Sequence, residues 1–312
     1  MNKTIGVILG IVSLLVLVVP VLATQLRQPE SREWEGVTLD EVEYEEVQFY
    51  NEAEQFQLAG MLFVPEGNGP FPAVVFVHGS APSFRGNRVI LTVAKHLLDN
   101  GVIVLVPDKR GADGSEGDWE TASFEALAVD TVAAVDYLLA RDDLAITSVG
   151  VLGSSQGGHI APLIASQSDA IDFIVNFSGT SLPIREQLLY EEKHNLRQMG
   201  FLPGIADLLA YPAAWSIREV RQKSFWNAIG DFDPLPYWQE LDVPALALFG
   251  LDDTNVPALE SKARLQSLNS SNITVKLYEG SGHNLESPLG QGNSVVRQEV
   301  LDDVLNFVLA VE

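Results

Sequence analysis

The chain contains no cysteine and little positive charge. The first absence excludes a disulfide scaffold, a cysteine-ligated zinc or iron–sulfur centre, a thiol nucleophile and a lipid-modified N-terminal cysteine. It leaves the redox compartment open. The second absence is as informative. Nineteen Lys and Arg face 42 Asp and Glu, for a formal net charge of −23. Nucleic-acid binding rests on a basic footprint, which is missing, and a polyanionic substrate is repelled. Such an acidic surface keeps a protein solvated. Also missing are an H-E-x-x-H pattern or paired-histidine cluster and a glycine-rich phosphate fingerprint after a strand, so neither a metal nor a nucleotide cofactor is expected. What is present suffices for a packed core: 46% of the 312 residues are apolar and 20% charged, far from the disordered range. One α/β domain of this size is ordinary.

Met1 to Ala23 stands apart. Lys3 is its only charged side chain, and Ile5 to Ala23 is an apolar run interrupted by Gly6, Gly10, Ser13 and Pro20. A basic start, an apolar middle and small residues at Val21 and Ala23 describe a secretory signal cleaved after Ala23. The same run is long enough to span a bilayer as an uncleaved anchor. Both readings export the body of the protein, with the membrane touched only through this segment. Residues 24–46 are polar and acidic and read as a spacer.

From Val47 the pattern is regular. Val47–Tyr50 and Gln57–Val64 read as an antiparallel pair. Ala73–Val77, Val102–Val106, Ser148–Leu152, Ile171–Phe177, Ala245–Phe249 and Ile273–Tyr278 read as buried strands. Val89–Leu98, Phe124–Leu139, Gly157–Ser166 and Val296–Val308 read as helices. Strand and helix in alternation predict an α/β fold, a mostly parallel central sheet with helices on both faces. Residues 181–237 break the rhythm with a largely helical, aromatic stretch. Its place between two strands predicts a lid over the ligand edge of the sheet. The catalytic domain is thus expected over 47–312.

Gly153-Ser154-Ser155-Gln156-Gly157 is a G-x-S-x-G between a strand and a helix, the setting of a nucleophile elbow. Ser155 is the expected nucleophile; Ser154 occupies the free position. A serine hydroxyl needs a base. Of the five histidines, His283 lies in Gly280-Ser281-Gly282-His283-Asn284, a flexible loop that lets an imidazole reach back over the sheet edge. His159 is expected to pack within the helix after the elbow, His96 to sit on a surface helix, and His194 to belong to the lid. The base needs an orienting carboxylate, and the adjacent Asp252 and Asp253 follow the strand Ala245–Phe249. Serine, acid, histidine is the chain order of this class of hydrolase. Oxyanion donors are expected from the backbone N–H of Gln156 and of Ser80, with His78 holding the Ser80 loop.

VVFVHGS, VPDKRGADGSEGD, GVLGSSQGGHIAP, FGLDDTNVP and GSGHN together resemble the α/β-hydrolase superfamily, and more narrowly bacterial exported carboxylesterases with an HGSG oxyanion loop. The resemblance runs from about Glu45 to the C-terminus. It implies the α/β-hydrolase fold, Ser155 as nucleophile, His283 as base and, through G-x-x-D-x-x-V-P, Asp253 rather than Asp252 as acid. The chain departs from that subgroup at Ala81, where the subgroup has glycine, and at Ala112. Asp108 and Arg110 are expected to pair with each other and fix their loop.

The leading reading is a serine carboxylesterase acting on small neutral esters of short or medium acyl chain. An exported aminopeptidase or prolyl-oligopeptidase-like peptidase would use the same machinery, with Glu191, Glu192 or Asp207 available to hold a substrate amine. A non-catalytic, membrane-anchored binding protein on the same fold is the remaining alternative.

Overall fold

The computed structural model describes residues 35–289 and 293–311, together with Val18. The expected signal or anchor, Met1 to Ala23, otherwise lies outside the described residues, as does the first half of the spacer. Among the described residues no helix is long and apolar enough to cross a membrane.

The strands are β1 (Glu45–Asn51), β2 (Phe56–Phe63), β3 (Phe71–Val77), β4 (Ile103–Pro107), β5 (Ile146–Ser154), β6 (Phe173–Phe177), β7 (Ala245–Gly250) and β8 (Ile273–Tyr278). They form one sheet in the order β1-β2-β4-β3-β5-β6-β7-β8. β1 and β2 are antiparallel, β2 is antiparallel to β4, and every pairing from β4 onward is parallel. Side chains alternate across the pleat, so Ala73, Val75 and Val77 enter one core while Val74 and Phe76 enter the other. Both faces are covered, which is why these strands read as unbroken apolar runs.

The first core is closed by α2 (Phe124–Leu139) and α3 (Gln156–Ala165), the second by α1 (Arg88–Asp99) and α9 (Gln298–Ala310). Two of these helices start at conventional caps. Asn87 Oδ1 accepts from Val89 N–H at 3.0 Å, and Ser123 Oγ accepts from Ala126 N–H at 3.2 Å. A hairpin of β9 (Glu286–Leu289) and β10 (Asn293–Val296) was not foreseen. Its strands are four residues each and carry no apolar run to betray them.

The expected spacer extends less far than 24–46. Val37, Leu39, Val42 and Tyr44 pack on the second core, Val37 N–H donates to Thr92 Oγ1 at 3.0 Å, and β1 already begins at Glu45. Isolated apolar residues between acids gave no periodic signal, yet each finds a place on the sheet.

The chain between β6 and β7 carries α4 (Ile184–Gln198), α5 (Pro203–Ser216), a π-helical turn (Ile217–Arg221), α6 (Lys223–Ile229) and α7 (Leu235–Gln239). This excursion has a stapled neck. Ile184 N–H donates to the Phe232 carbonyl at 3.0 Å. Arg264, on α8 (Ala258–Gln266), donates to the Ser181 carbonyl at 2.5 Å and to both Asp233 carboxylate oxygens at 2.7 Å. Trp238 on α7 is fully buried against the first core. Its truncation to alanine should cost about 3–5 kcal/mol.

Candidate active site

β5 ends in a turn that forces Ser155 into φ 54°, ψ −113°, a region that non-glycine residues enter only under strain. The neighbours permit it. A Cβ on Gly153 would overlap the Gly157 backbone, and one on Gly157 would overlap the Val77 carbonyl. Small residues at both positions therefore let strand, turn and helix close on one another. Ser155 N–H donates to the Phe177 carbonyl at 2.9 Å, which ties the turn to β6. The hydroxyl projects at the N-terminus of α3.

His283 stands between the two other expected residues. Its Nε2 lies 2.9 Å from Ser155 Oγ and its Nδ1 lies 2.8 Å from Asp253 Oδ2. Asp253 is buried, and its Oδ1 accepts from the N–H groups of Asn255 at 2.7 Å and Val256 at 3.0 Å. Asp252 is exposed and makes no such contact. Of the two adjacent aspartates, then, the structure brings Asp253 to the imidazole. Burial of the His283 ring opposes its charge. The Asp253 carboxylate, by charge and by hydrogen bond, and behind it Glu191 and Glu286, outweigh that opposition and raise the pKa above 6.5.

The loop bearing His283, expected to be flexible, is pinned. Its Ser281 carbonyl accepts from Asp252 N–H at 2.9 Å, and Ser281 Oγ from Arg297 at 3.1 Å. Asn284 N–H donates to Glu286 Oε2 at 3.1 Å. The acid and base loops are thus stitched to each other. The glycines allow a close fit: a Cβ on Gly250 would overlap the Ser281 and Gly282 carbonyls.

Ser80 and Gln156 line the same cavity as Ser155, with a volume of about 400 Å³. Gly79 approaches so closely that a Cβ there would sit 3.4 Å from Ser155 Cβ. Ala81 is exposed, so its methyl group does not narrow this loop. His78 holds the loop as expected, its Nε2 2.7 Å from the Pro107 carbonyl, and burial pushes its pKa down to about 4.

Lys109 was not singled out from the sequence. Its buried Nζ donates to the Gly79 carbonyl at 2.6 Å, to Gln156 Oε1 at 2.7 Å and to the Ala81 carbonyl at 3.4 Å. One ammonium therefore joins the two segments from which oxyanion donors are expected. Burial lowers its pKa to about 7. Nothing in the sequence separates this lysine from a solvated one. Its spacing after β4 becomes meaningful only once β3 and β4 are neighbours.

Asp108 and Arg110 do not pair with each other, contrary to expectation. Asp108 receives Arg85 at 2.7 Å and Gly114 N–H at 3.0 Å, while Arg110 turns to Asp130 on α2 at 2.6 Å. Each has a nearer partner on a different element, and both partners are remote in sequence. His159 packs between Phe124 and Phe232, with its pKa pushed down to about 3 by burial. His96 lies near Asp302 at 3.4 Å, away from the cavity. His194 packs at a tilt against Tyr190, whose hydroxyl donates to the Asp253 carbonyl at 2.9 Å. Glu191 and Glu192 line the cavity, whereas Asp207 is bound to Arg197 at 2.6 Å and does not. The remaining wall is Ile184, Leu188, Ile217, Phe225 and Trp226, with Gln187, Arg221 and Gln222.

Comparisons with known proteins bear on the family and the fold. The family model described as BAAT / acyl-CoA thioester hydrolase C terminal matches residues 132–307, and a second model, BD-FAE, matches residues 61–193. Esterase EstD of Thermotoga maritima is 27% identical over 274 residues, covering 81% of this chain and 65% of that protein. Acyl-coenzyme A thioesterase 3 of Mus musculus is 27% identical over 241 residues, covering 73% of this chain and 50% of that protein. This chain therefore spans about half to two thirds of the length of these curated relatives. An esterase of Pyrococcus furiosus superposes with a TM-score of 0.64 at 21% identity, covering 89% of this chain and 96% of that one; at that identity the likeness establishes a common fold. A mostly parallel eight-stranded sheet, an elbow serine and a matching family model over more than half of its length place this chain in the BAAT/acyl-CoA thioester hydrolase C-terminal family, on the α/β-hydrolase fold shared with esterases and acyl-CoA thioesterases.

Proposed function

We propose that the protein is a serine hydrolase that cleaves carboxylic esters through an acyl-enzyme. The observation that carries this reading is the imidazole of His283 held between Ser155 Oγ and Asp253 Oδ2. Ser155 Oγ attacks the acyl carbonyl carbon as His283 Nε2 takes its proton. Asp253 accepts from Nδ1–H, fixes the tautomer and stabilises the imidazolium. The oxyanion forms against the N–H groups of Gln156 and Ser80. Collapse breaks the ester C–O bond, and the departing alcohol receives the proton from Nε2. Water then attacks the acyl-serine by the same steps, releasing the acid and restoring the serine.

The helical excursion is assigned as a lid, since α4, the π-helical turn and α6 supply most of the cavity wall. Its apolar members favour a neutral acyl group of short or medium length. The apolar run Ile5–Ala23 assigns the protein to the exported side of a membrane, either anchored or released. A thioester reading has two specific supports, the family model and the mouse relative. Against it stands the net charge of −23, which repels the phosphates of coenzyme A.

The deciding experiment assays the full chain and its Ser155→Ala variant on p-nitrophenyl esters of increasing acyl length, beside acyl-coenzyme A and aminoacyl-p-nitroanilides. Ester turnover lost in the variant is the expected result. Faster serine-dependent cleavage of acyl-coenzyme A would transfer the protein to the thioesterases. Cleavage of the anilides alone would transfer it to the peptidases, with Glu191 or Glu192 as the amine site. No turnover by a folded protein would leave the binding reading.

A further inference from the structure

α5 is apolar all round. Its sequence, PGIADLLAYPAAWS, contains one charged residue, Asp207. A helix of that kind is expected to be buried on every side. Here one side is: Ala206, Leu209, Ala210 and Ala213 pack with Leu196 of α4 in a small core of their own. The other side faces solvent. Leu202, Leu208, Tyr211 and Trp215 are 69%, 61%, 62% and 56% exposed, and Ile205 and Val220 extend the stripe. The spacing of three and four residues puts Ile205, Leu208, Tyr211 and Trp215 on the side away from that small core, with Leu202 and Val220 exposed at its two ends. No other part of the described surface gathers so many large apolar side chains. Patches of this kind mark interaction sites.

Three observations say what covers it. The first is charge. Residues 184–230 hold six basic and five acidic side chains in a chain with a net charge of −23. The two acids beside the stripe are themselves paired, Asp207 with Arg197 at 2.6 Å and Glu219 with Arg218 at 3.7 Å. A segment so nearly balanced is spared most of the repulsion that a net charge of −23 would meet at anionic headgroups. The second is composition. Tyr211 and Trp215 join an apolar body to a polar edge, as side chains at a membrane interface do. The third is where the preceding chain enters. Val37 binds Thr92 in the second turn of α1. That helix begins directly after the loop of Gly79 and Ser80, so the entry lies at the edge of the sheet that carries Ser155. Eleven residues separate Ala23 from Glu35, a reach of roughly 35–40 Å when extended. In sequence, an apolar run of bilayer-spanning length therefore precedes this entry by a short tether.

We propose that the α5 face docks on a lipid surface, lying in the headgroup region with the cavity mouth beside it, and that esters reach the site from that surface. Interfacial helices bind through apolar burial and through the absence of repulsion from the headgroups. The docking stands whether or not the hydrolytic reading does.

The absence of cysteine makes the test direct. In the full chain, carrying Ser155→Ala so that turnover plays no part, Leu208→Cys is labelled with an environment-sensitive fluorophore. Leu139→Cys, exposed at the end of α2 on the opposite edge of the sheet, serves as the control. Each is mixed with phosphatidylcholine–phosphatidylglycerol vesicles carrying a shallow nitroxide quencher on the acyl chain. The expected result is a blue shift and quenching at position 208 and neither at position 139. An unquenched label at 208 on vesicle-bound protein would overturn the proposal, as would failure to bind vesicles. A blue shift at 208 that follows protein concentration without lipid would assign the face to a second copy, and would overturn it equally. In the active chain, Leu208→Ser, Tyr211→Ser and Trp215→Ser together should lower the rate on a long-chain ester embedded in vesicles by about tenfold or more. Hydrolysis of a dissolved short-chain ester should stay within about twofold, which also shows that the variant is folded. Equal rates on both substrates before and after the change would sink the idea.

Discussion

The edge of the sheet and the excursion above it are built in opposite ways. At the edge, backbone meets backbone. Gly153 against Gly157, Gly250 against Ser281, and Asp252 N–H on the Ser281 carbonyl leave no room for adjustment, and His283 is held on both sides. The excursion is joined to the body through its neck and through side chains of the cavity wall, and it carries much of its apolar surface outside. The difference teaches where each task is placed. Proton transfer demands positions fixed to fractions of an ångström, so it sits on elements locked by the sheet. Recognition tolerates repacking, so it sits on helices joined to the body largely through side chains.

Substitutions test that division. Ser155→Ala should abolish ester turnover, by about 10⁶-fold if its triad behaves as a unit, with the melting temperature little changed; a residual rate near that of the parent would move the nucleophile elsewhere. Asp253→Asn should lower kcat by about 10⁴-fold, whereas Asp252→Asn, exposed and outside the network, should stay within about twofold. The reverse ranking would reassign the acid. Lys109→Met removes a side chain that ties the Gly79 loop to Gln156. A loss of about 10²-fold in kcat with KM nearly unchanged is expected, matched by weaker binding of a trifluoromethyl ketone that mimics the oxyanion; weaker KM alone would make Lys109 a substrate contact.

The pH dependence follows from His283. Attack needs the neutral imidazole, and its pKa is raised above 6.5. Turnover should therefore fall about tenfold per unit below that raised value. In Asp253→Asn, with the charge gone, the limb should move to lower pH. Protonated His283 also stabilises the fold below its unfolded value, and that contribution is lost as pH rises through the raised one. A limb unmoved by Asp253→Asn would show that another group sets it. The smallest effect is expected on the excursion. Leu208→Ser, on the exposed stripe, should change stability by no more than about 0.5 kcal/mol in lipid-free solution; a larger loss of melting temperature would show that the stripe is packed.

Much of this was legible in the sequence, for identifiable reasons. The buried parallel strands announce themselves because both faces are apolar, and the elbow because Gly153 and Gly157 are sterically required. Ser155, Asp253 and His283 each follow a strand whose end could be placed, so their meeting could be foreseen. What could not be read depended on neighbours distant in the chain. Asp108 finds Arg85 and Arg110 finds Asp130, although the two lie a residue apart and invite pairing. Lys109 acquires its role only where β3 and β4 adjoin. The β9–β10 hairpin is too short to carry a period, and the ordering of residues 35–44 rests on single apolar side chains.

The stapled neck has a consequence for descent. Because Ile184 and Phe232 are clasped backbone to backbone, the chain that leaves the body returns to the point it left. The closure entropy of such an arm grows only slowly with its length, about 0.6 kcal/mol for each doubling. Helices could therefore be added, shortened or exchanged between relatives without disturbing a single hydrogen bond of the sheet. Arg264 and Asp233 would act as a socket, and what is plugged into it would be free to diverge while the chemistry beneath is inherited intact.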